Sequence, residues 1–99
     1  MAKKYALTFA VSAVKDLEEI HSWYLDQQVP EIGQKLVKEV LADLERLSEF
    51  PESGRTVPEF AAAHLREIIH PPFRIIYRLD KLRVRVVRVW RSERLLKMP

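Results

Sequence analysis

The spacing of apolar residues changes once along this chain, and the change divides it into a helical part and an extended part. Up to Leu47, apolar residues recur every three or four positions, which is the period of an amphipathic helix. From Leu65 onward apolar and polar residues alternate, which is the period of a β-strand. The segment at residues 50–59, which contains Pro and Gly, predicts an ordered turn region between the two parts. A helical layer combined with a sheet is therefore expected.

Two helices are predicted before the turn region. The first covers residues 13–28, and Ser12 is placed to cap its N-terminus. Val29-Pro30 ends this helix and starts the second, because proline lacks a backbone N–H and its fixed φ suits a first helical position. The second helix has a wider apolar face than the first, so we expect a helical hairpin that contacts the sheet.

Four strands are predicted, one before the helices and three after them. The first covers residues 5–9, and the others cover residues 65–69, 73–79 and 82–90. Asp80-Lys81 predicts a tight hairpin between the last two. The order β-α-α-β-β-β predicts an α+β fold in which the helical hairpin packs on a small antiparallel sheet. At 99 residues, the chain is expected to form a single domain over residues 1–99.

Composition excludes several classes of protein. The chain has no cysteine, so neither a disulfide framework nor a thiolate metal site is possible. The histidines lack metal-ligand spacing, and we predict no metal and no cofactor. The first residues loosely resemble a secretory signal, but Thr8 and Ser12 interrupt the apolar stretch and favour a strand. No apolar stretch is long enough to span a membrane, so we predict a cytoplasmic protein without a membrane partner.

Charge is distributed unevenly between the two parts. Residues 61–99 contain ten Lys and Arg but only three Asp and Glu, a net charge of +7, whereas residues 1–60 carry −4. A cationic sheet beside acidic helices attracts either phosphate backbones or an acidic protein partner. The charge alone does not choose between these partners.

Strand alternation predicts where the arginines of the sheet point. In the strand at residues 73–79, the larger apolar side chains fall on one side, so Arg74 and Arg78 share the other. These two arginines could hold a phosphate, or they could keep an exposed sheet face soluble. The last strand changes its alternation near Val86-Val87, where a β-bulge would keep Arg88 out of the core.

A set of short motifs follows the predicted helical hairpin in a particular order. They are Gly54-Arg55, Leu65-Arg66-Glu67, Phe73-Arg74-Ile75-Ile76-Tyr77-Arg78 and Val89-Trp90-Arg91-Ser92-Glu93-Arg94. Each motif is weak alone, but together, in a basic chain of this size, they resemble the RelE/ParE superfamily of toxins from type II toxin–antitoxin systems. The resemblance covers nearly the whole chain. It implies a bacterial growth-inhibiting toxin that is neutralised by a small antitoxin wrapped around its surface.

The resemblance implies two possible activities, and the first is RNA cleavage. RelE-like members cut mRNA in the ribosomal A site, a reaction that needs a general acid, a general base and cations for the developing charge on phosphorus. The cations would be Arg66, Arg74 and Arg78. His70 is the best candidate for the acid or base, since its ordinary pKa is near neutrality.

The second activity is inhibition of DNA gyrase, and departures from the RelE pattern favour it. RelE-like nucleases place Tyr or His just after the last strand, where this chain has Trp90 and Arg91, and residues 54–69 lack the lysines that those nucleases use. ParE-like members block gyrase with DNA cleaved and do no chemistry themselves. The preferred interpretation is therefore a gyrase inhibitor that is not an enzyme, with a ribosome-dependent mRNA endonuclease as the alternative. A basic interaction domain with the toxin fold but no toxicity is a third hypothesis.

These interpretations identify candidate interface residues. The target-binding residues, which would contact gyrase and DNA or, in the alternative, the ribosome and mRNA, are Arg66, Arg74, Arg78, Trp90, Arg91 and Arg94. The antitoxin-binding residues are Trp23, Tyr24, Arg74 and Arg78. Because Trp23 and Tyr24 are adjacent on a helix, only one can face inward, and the other could enlarge an apolar groove. Structural roles also remain open: Trp90 could be core, His70 a solvated turn residue, and Arg66 a partner of acidic neighbours.

Overall fold

A computed structural model describes residues 4–60 and 62–91, and two helices pack there on one face of a five-stranded sheet. The elements are β1 (Ala6–Phe9), α1 (Val11–Asp26), α2 (Pro30–Leu47), β2 (Arg55–Thr56), β3 (Leu65–His70), β4 (Phe73–Asp80) and β5 (Arg83–Arg91). The predicted α+β fold and its order of helices and strands are confirmed. The short strand β2 is an addition within the predicted turn region. None of the helices in the described residues is long and apolar enough to cross a membrane.

The sheet is mixed, and it differs from the predicted antiparallel sheet in one pairing. Its strand order is β1-β5-β4-β3-β2. Strand β1 runs parallel to β5, with Ala6 opposite Arg83 and Phe9 opposite Val86, whereas the other neighbouring strands are antiparallel. Alternation of apolar residues identifies a strand but carries no information on its partner or its direction, so the sequence pattern could not reveal this parallel pair.

A β-bulge lies in β5 where the alternation of the sequence changes. The pairing shifts between Ile76 and Tyr77 of β4, so that Val87 of β5 is the extra residue. Because of this extra residue, Val86 and Val89 both reach the core beneath the helices. The predicted bulge is confirmed.

Apolar clusters lie on both faces of the sheet. The larger one fills the space between the helices and the sheet and includes Ala13, Val40, Leu44, Leu47, Phe73, Ile75, Tyr77, Val84, Val86 and Val89. The smaller one, on the face away from the helices, consists of Val57, Ile76 and Trp90, with Phe60 and Leu65 against it. We call this second face the outer face. The turn region therefore folds over part of the outer face and leaves the rest uncovered.

Helix α1 supplies hydrogen bonds to an edge of β5 that β1 does not reach. The Ser12 hydroxyl donates to the carbonyl of Val87 at 2.7 Å, and the Asp16 carboxylate accepts the N–H of Val89 at 2.9 Å. These side chains, one helical turn apart, satisfy backbone groups that would otherwise lack partners. The helix begins at Val11 and its N-cap residue makes no side-chain hydrogen bond, so the prediction that Ser12 caps it is wrong.

Candidate partner-binding surface

Arg74 lies on the outer face and is bound by two carboxylates of the chain itself. Its Nε and Nη2 donate to Oε1 of Glu67 at 2.8 and 2.6 Å, and its Nη1 and Nη2 donate to Glu59 at 2.8 and 2.9 Å. The hydrogen bonds that Arg74 donates to Glu59 and then to Glu67 outweigh burial and raise the pKa of Arg74. Arg74 is only 7% exposed. This candidate for both target and antitoxin binding is thus already satisfied within the chain.

Arg55 joins this network through Glu67. Its Nε donates to Oε2 of Glu67 at 2.6 Å, and the two residues face each other across β2 and β3. Glu67 is completely buried, and its two arginine partners supply the opposite charge that a buried carboxylate requires. Together with Glu59, the four side chains carry no net charge. Neither glutamate was predicted as part of the site, although placing residues 65–69 beside the strand of Arg74 would have indicated Glu67.

Arg78 shares the outer face with Arg74, as predicted, but its environment differs. It is exposed, and its partner across the sheet is Arg85. Arg83, two residues before Arg85 on the same face, lies opposite Asp80. We call Arg78, Arg83 and Arg85 the outer arginine patch. Within residues 4–60 and 62–91, no carboxylate forms an ion pair with any of the three, so this part of the outer face carries a net positive charge even with Asp80 beside Arg83.

Arg66 lies on the opposite face and holds the turn region. It pairs with Tyr77 across the sheet, and its Nη1 donates to the carbonyls of Gly54 at 2.9 Å and Glu52 at 3.4 Å. The partners of Arg66 are therefore backbone carbonyls, and not the acidic side chains that were left open as an alternative from the sequence. In this arrangement Arg66 is separated from the outer arginine patch by the sheet.

Tyr77 connects the turn region to the core. Its hydroxyl donates to the carbonyl of Pro51 at 2.7 Å and accepts the N–H of Gly54 at 3.0 Å. Burial raises the pKa of Tyr77, and the side chain has no exposed surface. This phenol is therefore kept protonated and away from any substrate.

His70 is bound to helix α2. Its Nδ1 lies 2.6 Å from Oδ2 of Asp43 and its Nε2 lies 3.0 Å from Oε1 of Glu39. Burial lowers the pKa of His70, but the hydrogen bonds to the two carboxylates outweigh it, and the net shift is upward. Because His70 contacts α2, it lies on the helix-covered face, opposite to Arg74. The candidate acid or base is thus not brought together with the outer-face arginines.

Trp90 lies within the apolar cluster on the outer face. It is 7% exposed, and the guanidinium of Arg88 lies 4.1 Å from the centre of its ring. The core role that sequence analysis left open for Trp90 matches this environment. Arg91 lies at the end of β5 with its guanidinium 4.7 Å from the ring of Trp23, and Arg94 lies outside the described residues.

The adjacent aromatic residues of α1 face in different directions. Tyr24 is buried, and a Cβ added at Gly33 of α2 would lie 2.8 Å from its Cβ, so the two helices approach closely there. Trp23 is 48% exposed and borders a cleft of about 130 Å³ between α1 and the end of β5. Of the two aromatic candidates for antitoxin binding, Trp23 is therefore the accessible one.

The described residues do not form a candidate metal centre. Among the described residues, no three His, Cys, Asp or Glu side chains are grouped so that they could hold a metal ion.

Solved structures with this fold include two that are named for toxin–antitoxin systems. The chromosomal ParDE TA system from P. aeruginosa superimposes with a TM-score of 0.77 at 21% identity, over 93% of this chain and 100% of that one. RelBE2 from Mycobacterium tuberculosis gives 0.62 at 22% identity, over 93% and 94% of the two chains. The conserved hypothetical protein HP0894 from Helicobacter pylori gives 0.60 at 17% identity, over 93% and 99%.

The sequence itself carries a family assignment. No curated protein sequence is significantly similar to the chain. Residues 7–96, however, match the family described as "ParE toxin of type II toxin-antitoxin system, parDE". Since the match extends over most of the sequence and agrees with the fold, this protein belongs to the ParE family of toxins of type II toxin–antitoxin systems.

Proposed function

We propose that this toxin inhibits DNA gyrase by binding to the enzyme and its DNA, and that a cognate antitoxin neutralises it. The toxin does no chemistry of its own in this proposal. One observation carries it: His70 and Tyr77, the described titratable groups nearest to what an RNA-cleaving site needs, are bonded within the chain, while no carboxylate among the described residues pairs with the outer arginine patch.

Acid–base catalysis needs a titratable group within hydrogen-bond reach of the reacting atoms, beside cations that stabilise the charge on phosphorus. His70 is on the opposite face of the sheet from Arg74 and is bound by Asp43 and Glu39. The hydroxyl of Tyr77 is buried and has two backbone partners. These positions support a binding protein over a nuclease.

The outer arginine patch supplies what binding to a gyrase–DNA complex requires. Arginine side chains bind phosphate groups of a DNA backbone without proton transfer, and the attraction does not depend on base sequence. Arg78 and Arg85 lie directly opposite each other, and such like-charge pairs cost some stability in the free protein. An anion between them would relieve this repulsion. Among the predicted target-binding residues, Arg78 is therefore the best placed.

A cognate antitoxin is proposed because the family consists of toxins of toxin–antitoxin systems, and two similar structures are named for such systems. The exposed ring of Trp23 beside its cleft is the candidate apolar contact. Amphipathic aromatic rings of this kind dominate many protein interfaces.

The test uses purified toxin without antitoxin. Supercoiled plasmid, ATP and DNA gyrase are incubated with the toxin, and the DNA is analysed after detergent and protease treatment. We expect linear plasmid that requires both gyrase and toxin. In parallel, ribosomes with bound mRNA are incubated with the same preparation and the RNA is mapped by primer extension. Cuts in the A-site codon without any gyrase-dependent linear DNA would overturn the proposal in favour of RNA cleavage.

A further inference from the structure

The two carboxylates that bind Arg74 are not equivalent. Glu67 is on β3, has no exposed surface and also binds Arg55. Glu59 lies in the turn region, and its side chain is 36% exposed. Glu67 cannot leave without disrupting the sheet, whereas Glu59 can move into solvent by rotation of its own side chain. Arg74 thus has one permanent partner and one that can be replaced.

Removing Glu59 from this network would leave a site prepared for an anion. Arg55 and Arg74 would then face Glu67 alone, with a net charge of +1. Nη1 of Arg74 would lose its acceptor and Nη2 would lose one of two. A guanidinium with two adjacent free N–H groups matches the two oxygens of a carboxylate, which is the ligand that it holds in this structure.

The surroundings of Arg74 favour a carboxylate on a flexible side chain over a phosphate of a DNA backbone. Only 9% of the Arg74 side chain is exposed, so a ligand must reach into the surface. A cleft of about 280 Å³ leads to it, bordered by Arg55, Pro58, Glu59, Ile69 and Arg74. Pro58 and Ile69 make part of this wall apolar, which suits the methylene groups of a peptide side chain. The phosphates of a duplex lie on a broad rod and are better met by Arg78 and Arg83 of the outer patch, which are exposed.

We infer that Arg74 is a binding site for an acidic side chain of a partner protein, and that Glu59 occupies this site until the partner replaces it. The inference rests on the proposed function in one respect, since the partner is the antitoxin. Glu59 then acts as an internal competitor. A tethered group competes at an effective concentration on the order of millimolar, so a free carboxylate binds weakly to the wild-type protein and more tightly once Glu59 is neutral.

The first experiment needs neither gyrase nor antitoxin. Wild-type toxin and Glu59→Gln are titrated with N-acetylglutamate and, separately, with dimethyl phosphate, while the Nε–H resonance of Arg74 is followed by ¹⁵N NMR. Glu49→Gln is the matched control, because it removes the same charge from a surface residue whose ion pair among the described residues is with Lys4. We expect Glu59→Gln to bind N-acetylglutamate at least about tenfold more tightly than wild type or control, which corresponds to about 1.4 kcal/mol. We also expect Glu59→Gln to bind dimethyl phosphate less tightly than it binds N-acetylglutamate.

Equal affinities in the three proteins would overturn the inference, and so would a preference for dimethyl phosphate, which would indicate a nucleic-acid contact. If Glu59→Gln fails to fold, Glu59→Asp replaces it, because its shorter carboxylate competes less well for Arg74. The partner is tested with the cognate antitoxin, to be sought in a reading frame next to the toxin gene, and the affinity of this antitoxin should be higher for Glu59→Gln than for Glu49→Gln. Unchanged affinity would refute the antitoxin as the ligand. Neither result depends on gyrase, so failure here is distinguishable from failure of the plasmid assay.

Discussion

Asp16 of α1 binds Arg88 of β5 through two hydrogen bonds, donated by Nε at 2.8 Å and Nη2 at 2.9 Å. The same carboxylate accepts the N–H of Val89, so one buried side chain satisfies a guanidinium and a backbone donor together. The contact attaches the first helix to the last strand at the point where β1 has ended. A charged interaction therefore holds the edge of the sheet together there.

We predict that Asp16→Asn lowers the free energy of unfolding by about 1–3 kcal/mol, because it leaves the partly buried Arg88 without its counter-charge. Urea denaturation measures the change. Glu19→Gln, on an exposed position of the same helix, should have almost no effect. An Asp16→Asn midpoint equal to wild type would show that the contact contributes nothing to stability.

Gly54 should tolerate no side chain. A Cβ at this position would lie 2.5 Å from the hydroxyl oxygen of Tyr77 and 2.7 Å from the carbonyl oxygen of Glu67. Because the second atom belongs to the backbone of β3, a side-chain rotation cannot remove the clash. Gly54→Ala should destabilise the protein by about 3 kcal/mol, and adding Tyr77→Phe should not restore it. Ser53→Ala is the control in the same thermal and urea unfolding experiments, and equal stability of both alanine variants would contradict the prediction.

Stability should depend on pH through His70. Its pKa is raised in the folded protein because the contacts with Asp43 and Glu39 outweigh burial. The folded state then binds the proton more tightly than the unfolded state, so the stabilisation is complete below the ordinary pKa of 6.5 and is lost as the pH rises through the folded value. Free energies of unfolding measured from pH 5.5 to about 8.5 should fall with pH. The fall should be smaller in His70→Gln and retained in His21→Gln, and an unchanged slope in His70→Gln would refute the assignment.

The outer arginine patch is expected to act on the target and not on the fold. Arg78→Glu should reduce gyrase-dependent linearisation of plasmid at least about tenfold, since it replaces a phosphate-binding cation with a repelling charge. Its unfolding midpoint should be no lower than wild type, because the repulsion from Arg85 is removed. Lys35→Glu makes the same charge change on α2 and should retain full activity. Equal activity of the two variants would remove Arg78 from the target site.

Trp23 is expected to matter for the antitoxin and little for stability. Trp23→Ala removes an exposed ring next to the cleft at the end of β5 and should weaken antitoxin binding at least about tenfold. Isothermal titration with the cognate antitoxin measures the effect. Exposed Leu25→Ala, two positions along α1, serves as its comparison, and similar losses in both would point to a general effect of the helix.

Periodicity predicted the elements well where one side of each is buried by the core. The alternation in β4 placed Arg74 and Arg78 on a common face, and the change of alternation at Val86-Val87 predicted the bulge. Both inferences follow from local spacing, because neighbouring residues in a strand must point to opposite faces.

The partners of the charged side chains could not be predicted in the same way. Glu59 lies in a turn, where no period indicates its direction, and it meets Arg74 only after the turn region has folded over the outer face. His70 looks like a turn residue in the sequence, yet α2 brings two carboxylates to it. Long-range pairing of β1 with β5 is likewise invisible in local patterns. The candidate site is thus the part that depends most on tertiary contacts.

The parallel pair of β1 and β5 also constrains how this protein is made. Residues 6–9 pair as a strand with residues 83–86, so the nascent chain on the ribosome cannot complete its sheet until late in translation. Contacts so distant along the chain slow folding, because a large loop must close before they form. Synthesis therefore begins well before the toxin can reach its native fold. An mRNA truncated before the codons of β5 yields no native toxin.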